Sequence, residues 1–306
     1  MGGDATAGRF TISQNSVTDL SGFSKSLKIQ CTTADTSTAA SEGLLVQQRF
    51  EGQDLQQLMN SSTSTKAFTL SFYAKQNETR NIVVEIRTSQ GTNRQICKLF
   101  AVTSSWARYE FTVPAQASGM TINDDNSNEL QLNFWLHGGS TFTSGTLDTS
   151  FAGSTNANRA VGVGSIFAST SNFIEITGVQ LEVGEQATPF EHRSFGDELQ
   201  RCKRYYQTHG NEHTSYRYLA PAFCNSTSQA QGVLALPVTM RAAPTASVSG
   251  NFELIHGSTG HSITLGTKEL NQSSVGLQPS GSSFTANSGA IIRGSNDATA
   301  QLKLDA

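Results

Sequence analysis

The sequence predicts an all-β chain built as two sandwich domains joined by a short helix. Three observations carry that expectation. Apolar and polar residues alternate with period two through most of the chain. Charged residues make up 15% of it, against about 25% in ordinary soluble domains, with Ser, Thr, Asn, Gln and Gly in their place. Sustained helical spacing is confined to one junction. The 306 residues are enough for two domains of ordinary size.

In chain order, Leu27 to Gln30 and Leu44 to Phe50 read as early strands. Gln53 to Met59 reads as a short helix, since Leu55, Leu58 and Met59 share a face. Phe68, Leu70, Phe72 and Ala74 then alternate with Thr69, Ser71, Tyr73 and Lys75. Ile82, Val84 and Ile86 alternate with Val83, Glu85 and Arg87, and Tyr109, Phe111 and Val113 with Arg108, Glu110 and Thr112. Pro114 stops that strand. Leu132, Phe134 and Leu136 alternate with Gln131, Asn133 and Trp135. Thr141 to Asn158 is small and polar and reads as a loop across the top of the sandwich. Phe173 to Val183 is the last strand, with a bulge expected at Gly178, where the phase shifts. Strands of this kind form antiparallel sheets with one buried and one wet face, and their number predicts two packed sheets.

At the junction, Pro189 ends the strand by fixing its own φ and extending Thr188, and Phe190 is expected to pack under the sandwich. Ser194 can cap a helix with Asp197 three residues on. Leu199, Cys202 and Tyr206 fall on one face, so a helix is expected from about 195 to 206. Period two resumes at Tyr216 and Tyr218, Val233 to Val238, Phe252 to Ile255, Ile263 to Leu265, Ile291-Ile292 and Leu302 to Leu304. The expected organisation is a sandwich over residues 1–193, a linker helix over 194–210 and a smaller β-sandwich over 211–306.

A net charge of −3 provides no basic stripe for nucleic acid, and Arg201 to Arg204 is too short to supply one. No apolar run approaches the roughly 20 residues of a membrane-spanning helix. Gly3-Asp4-Ala5 lacks the basic start and apolar stretch of a secretion leader, so none is expected. Met1 to Thr6 fits the loose myristoylation pattern, which is common by chance. Cys31, Cys97, Cys202 and Cys224 are scattered without a CxxC pair and read as free thiols.

Ser26 to Ile29, Phe68 to Lys75, Trp106 to Val113 and Ile174 to Glu182 resemble, in order, strands of jelly-roll carbohydrate-binding modules of the galactose-binding-like superfold. Thr188-Pro189-Phe190-Glu191 and Cys202 to Tyr206 are similar to the junction of the bacteriophage tail-fibre and other virion proteins that carry this module. Ala235 to Thr245 resembles the opening of their distal domain. The resemblance implies an N-terminal jelly roll, a location in the virion and a homotrimer. The trimer contact would form at the junction through Leu199, Cys202, Tyr205 and Tyr206. In the resembled modules a concave sheet binds glycans.

Nothing in the chain reads as catalytic. His209 to His213 matches an H-x-x-E-H metalloprotease pattern, but Gly210-Asn211 weakens the helix that would set the spacing, and a polar loop is the simpler reading. A glycosidase needs two carboxylates across a cleft, and none are paired in sequence. Asp124-Asp125 could ligate calcium through hard oxygens; a solvated Asx-rich turn competes with that. No other cofactor is expected. The sharper candidate is a glycan site on the wet face made of Gln47, Arg49, Tyr73, Glu85, Arg87, Asn133 and Trp135. Trp135 is its centre, because an outward tryptophan exposes apolar surface without a core reason.

The expectation is therefore a non-enzymatic virion structural protein, a tail or head fibre that adheres to host surface glycans. Its partners would be its own copies, other virion proteins and host polysaccharide, without nucleic acid or membrane insertion. Two alternatives stand beside it: a capsid decoration or connector protein that only packs, and a carbohydrate-binding module of a secreted bacterial protein.

Overall fold

Residues 9–89, 93–211 and 215–306 are described by a computed structural model. The myristoylation pattern at Met1 to Thr6 lies outside them, as do Glu212 and His213 of the H-x-x-E-H run. The chain divides into two compact units, residues 1–191 and 192–306, so the helix at the junction belongs to the second.

The first unit contains β1 (Phe10–Ser16), β2 (Lys25–Cys31), β3 (Gly43–Glu51), β4 (Met59–Ser61), β5 (Ser64–Thr65) and β6 (Phe68–Gln76). It continues with β7 (Arg80–Thr88), β8 (Arg94–Val102), β9 (Ala107–Val113), β10 (Asn128–Gly138), helix α1 (Ser140–Thr143), β11 (Ala152–Gly153) and β12 (Phe173–Val183). One sheet has the order β1-β2-β12-β6-β9 and the other β11-β8-β7-β10-β3, with antiparallel pairing throughout. This is the predicted two-sheet sandwich.

Period two explains how it closes. Phe68, Leu70, Phe72 and Ala74 from the first sheet meet Ile82, Val84, Ile86, Leu132, Phe134 and Leu136 from the second, all buried. Phe72 sits edge-on to Phe134 with ring centroids 5.0 Å apart, the geometry aromatic quadrupoles favour. The expected helix at Gln53 to Met59 is instead two 3-10 turns, Gly52–Asp54 and Gln56–Leu58, which still bury Leu55 and Leu58. The bulge in β12 falls at Gly178: the register with β6 jumps between Thr177 and Gln180, and φ is +57°. A Cβ there would lie 2.7 Å from the Phe23 ring, so both conformation and space demand glycine.

The second unit opens with α2 (Phe195–Lys203), in which the Ser194 hydroxyl accepts the Asp197 N–H at 3.1 Å as the capping pattern predicts. The helix stops before the expected residue 206. Tyr206 instead starts a strand, β13 (Tyr206–Gly210), within the span predicted as linker. Residue by residue, β13 pairs with the C-terminal strand, which otherwise would present an unpaired edge on that side.

The remaining strands are β14 (Tyr218–Cys224), β15 (Ala230–Ala235), β16 (Thr245–Ser249), β17 (Phe252–His256), β18 (Thr259–Lys268), β19 (Ser274–Gly281), β20 (Ser288–Gly294) and β21 (Gln301–Asp305). Six of them close into a barrel in the order β14-β15-β19-β18-β17-β20, and β13-β21-β16 form a three-stranded sheet. Outside α2 the distal unit is thus all-β as expected, but its larger sheet closes on itself as a barrel where the second half of a sandwich was expected. Phe252, Leu254, Leu265, Val275, Leu277 and Ile292 lie in its core.

Candidate functional site

Strand register places the predicted site residues of the second sheet in three cross-strand rows on its outward face. Arg49 on β3 pairs with Gln131 on β10, which pairs with Arg87 on β7, which pairs with Gln95 on β8. The next row runs Gln47, Asn133, Glu85, Cys97. The third runs Leu45, Trp135, Val83, Leu99. Neighbouring strands stand about 4.8 Å apart, so each row is a flat line of side chains on rigid backbone. Polarity falls steadily from the first row to the third.

The face is wet only at its polar end. Residues 139–163 fold across the apolar row, where Phe142, Leu147, Ala160 and Val163 pack on Leu45, Val83, Cys97 and Trp135. This segment is the stretch expected to cross the top of the sandwich. It lies over the sheet face instead, pinned by the Cys97 N–H to the Asp148 carbonyl at 2.6 Å and by β11 pairing with β8.

Trp135 is consequently 2% exposed. Its ring packs against Phe142, at 5.0 Å, and the Arg159 guanidinium, at 4.9 Å, which in turn lies 5.9 Å from the Phe142 ring. The prediction that Trp135 is an outward, accessible platform is therefore corrected. It has a core reason, supplied by a segment whose few large apolar residues were hidden among small polar ones. Tyr73 is also misplaced by the sequence reading. It lies on β6 in the first sheet, against Phe23 at 5.1 Å, and does not share a face with the other candidates.

Glu85, predicted to be wet, has no solvent exposure. Its charge is held by Arg159, whose Nε donates to Oε1 at 2.7 Å and Nη2 to Oε2 at 3.0 Å. Asn133 Nδ2 at 3.0 Å and Trp135 Nε1 at 2.8 Å donate to the same Oε2. Asn133 is fully buried too and accepts from Gln47 Nε2 at 2.9 Å. Arg49 Nε donates to Gln47 Oε1 at 2.7 Å. A continuous hydrogen-bonded chain thus links exposed Arg49 to half-buried Arg159. Such a network fixes its members' rotamers, because each lost partner would strand a buried polar group.

The structure brings together Gln47, Arg49, Glu85, Arg87, Asn133 and Trp135, and leaves Gln47, Arg49 and Arg87 reachable by solvent. Sequence reasoning missed Gln131 and Arg159. Gln131 had a signal, sharing the alternation phase of Asn133. Arg159 had a weaker one: it is the sole charged residue between Asp148 and Glu175. The surroundings also act on Cys97, whose thiol is pushed up by burial and by the nearby Glu85 and Asp148 carboxylates. All four cysteines are free.

The calcium candidates form a turn. Asp125 accepts the Ser127 N–H at 2.8 Å on Oδ1, and its carbonyl accepts the Gln53 N–H at 2.9 Å. Among the described residues, no group of three or more His, Cys, Asp or Glu side chains is placed to hold a metal. Nearby Glu129 is buried, with its carboxyl pushed up by desolvation and the Asp125 charge despite a 3.0 Å hydrogen bond from Asn123.

The junction candidates lie at the surface. Leu199 is 39% and Tyr206 47% exposed, Cys202 is exposed and Tyr205 half-buried. No residue of α2 is buried, and Phe195 is 81% exposed.

No protein-family model matches the chain, and no curated protein does. Several solved structures are similar to parts of it. The enzymatically active domain of tailspike protein 4 from bacteriophage CBA120 aligns at 13% identity over 57% of this chain and 18% of that one, with a TM-score of 0.31. A family 30 carbohydrate-binding module aligns at 12% identity over 63% of this chain and 86% of its own, with a TM-score of 0.33. The CBM22-1-CBM22-2 tandem domain from Paenibacillus barcinonensis Xyn10C aligns at 10% identity over 99% and 92%, with a TM-score of 0.30. At these scores the likeness carries no argument, and the architecture rests on the chain's own strand pairing.

Proposed function

We propose that this chain binds polysaccharide on a host surface, without cleaving it, as a structural component of a virion fibre. The Arg49–Gln131–Arg87 row carries the reading. Three long hydrogen-bonding side chains stand side by side on adjacent strands, Arg49 and Arg87 open to solvent and Gln131 buried between them, with Gln47 of the next row bonded to both Arg49 and Gln131. Planar amides and guanidinium groups suit the in-plane donors and acceptors of sugar hydroxyls. Mounting them on strands limits the ordering cost of binding. With Trp135 covered, recognition on this face runs through polar groups in place of ring stacking.

The covering of Trp135 also favours a second reading, a capsid decoration or connector protein whose faces only pack. A glycan array probed with the intact chain separates the two: binding to at least one host-type glycan is expected, and an array without any binder would leave the packing reading. A carbohydrate-binding module of a secreted bacterial protein would share the same site. Labelling of purified phage particles by antibody to the chain distinguishes that setting, since only a virion component decorates the particle.

Self-association completes the proposal. A nine-residue helix is marginal alone, and α2 leaves Phe195 and Leu199 in solvent. Three copies meeting through Leu199, Cys202, Tyr205 and Tyr206 would cover this apolar surface, in keeping with the closed symmetry common in homo-oligomers.

A further inference from the structure

Charge on the open rows is unbalanced. Arg49 and Arg87 flank Gln131, two strands or roughly 10 Å apart. The carboxylate of the adjoining row, Glu85, is spent: Arg159 takes both its oxygens, and Asn133 and Trp135 share one of them. Arg87 bonds a neutral oxygen, Ser154 Oγ at 3.2 Å, and gains a second neutral acceptor at 3.1 Å when the Asn93 amide is turned so that its oxygen faces the guanidinium. Arg49 bonds the amide of Gln47. Neither guanidinium has an ion-pair partner among the described residues.

For Arg87 this is unusual, because it is half-buried, and cations that leave water are ordinarily paired. Burial, with Arg159 alongside, lowers its affinity for the proton, and Glu85 offsets only part of that. The site therefore holds more positive charge than its own carboxylates balance, aimed at a surface that solvent reaches. The protein as a whole is net negative, at −3, so the excess is local.

We infer that the Arg49–Gln131–Arg87 row recognises an acidic sugar residue, with Arg87 as the anchor for its anionic oxygens and Arg49 closing the outer side, while buried Gln131 spaces the two guanidinium groups. A guanidinium fork presents two parallel N–H donors that match a carboxylate or an ester oxyanion. The inference rests on the glycan reading above and deepens it. It predicts that the ligand belongs to the uronic, sialic or sulfated class and is not a neutral glucan or galactan.

Affinity electrophoresis of the full chain tests it. The probes are polygalacturonate, polysialate and dextran sulfate, each beside its neutral counterpart: the two carboxyl-reduced polymers and plain dextran. Retardation by at least one charged polymer is expected, weaker by at least about tenfold for its neutral form and weakening as salt shortens the reach of the charges. R87Q should lose about tenfold or more of that binding, R87K should keep an intermediate share, and R49Q, at an exposed position with little folding consequence, should lose less than R87Q. Equal binding to charged and neutral members, or retention of full affinity by both R87Q and R49Q, would overturn the inference. Binding to neutral polymers alone would overturn it while leaving the glycan reading standing; binding to none of these probes, with none on the glycan array, would remove both.

Discussion

Glu85 and Arg159 lie 74 residues apart in sequence and meet through two charge-assisted hydrogen bonds of 2.7 and 3.0 Å. The carboxylate is fully buried and the arginine side chain 11% exposed. Removing one partner strands the other's charge. R159A should therefore destabilise the first unit by about 3–5 kcal/mol, measured by chemical denaturation. E85Q combined with R159Q should cost less than the sum of the single changes, because neither then strands a charge.

Trp135 gives an optical check on the covering segment. In a W106F background, which leaves Trp135 as the sole tryptophan, emission should be blue-shifted and protected from acrylamide. F142S should shift it to the red and open it to quenching. W135A should lower stability by about 3–5 kcal/mol. An emission already typical of water-exposed indole in the W106F protein would contradict the packing described.

Gly178 tests the bulge. G178A places a methyl group against Phe23 and asks an L-residue to hold φ at +57°. A loss of at least about 1 kcal/mol is expected, with Tyr73 and Phe190, which also pack around Phe23, becoming more mobile in NMR relaxation.

His137 gives a pH signature. Burial holds its imidazole below the ordinary value of 6.5, with Arg9 acting the same way and the Glu42 and Asp35 carboxylates opposing. Nδ1 is bonded to Ser165 Oγ at 2.8 Å, and Nε2 stands 3.9 Å from Glu42. Below pH 6.5 the unfolded chain takes up a proton that the native site resists, so stability should fall as pH drops from 6.5 toward the lower native value. H137Q should flatten that part of the stability curve; a slope unchanged in H137Q would show that other groups set it.

The junction predicts the oligomer. Mass measurement by light scattering should give a trimer, and L199E should shift it to monomer while the far-ultraviolet spectrum of the two β units persists. A monomeric wild-type chain at micromolar concentration would end the trimer proposal.

Alternation made the strands legible because one sandwich face is dry throughout: Leu132, Phe134 and Leu136 point where their spacing said. The opposite phase was not legible. Gln131, Asn133 and Trp135 belong to one face that is open at one end and covered at the other. What covers it is an irregular segment with no period, in which Phe142 and Leu147 are separated by small residues. The partnership of Glu85 with Arg159 depends on that same excursion. In the distal unit, closure of the barrel requires β14 to pair with β20, a non-local choice that period two does not encode. The strand at Tyr206–Gly210 was hidden because Tyr206 continues the spacing of Leu199 and Cys202.

The place of β12 in its sheet has a further consequence for synthesis. It fills the middle, between β2 and β6, yet is the last strand of its unit to be made. Until Val183 has left the ribosome, β2 and β6 each expose an unpaired edge, and the Phe23 ring has no bulged glycine to sit against. The nascent first unit therefore cannot complete its sheet piece by piece, and its window of exposure to chaperones and to neighbouring chains stays open until that one strand is inserted.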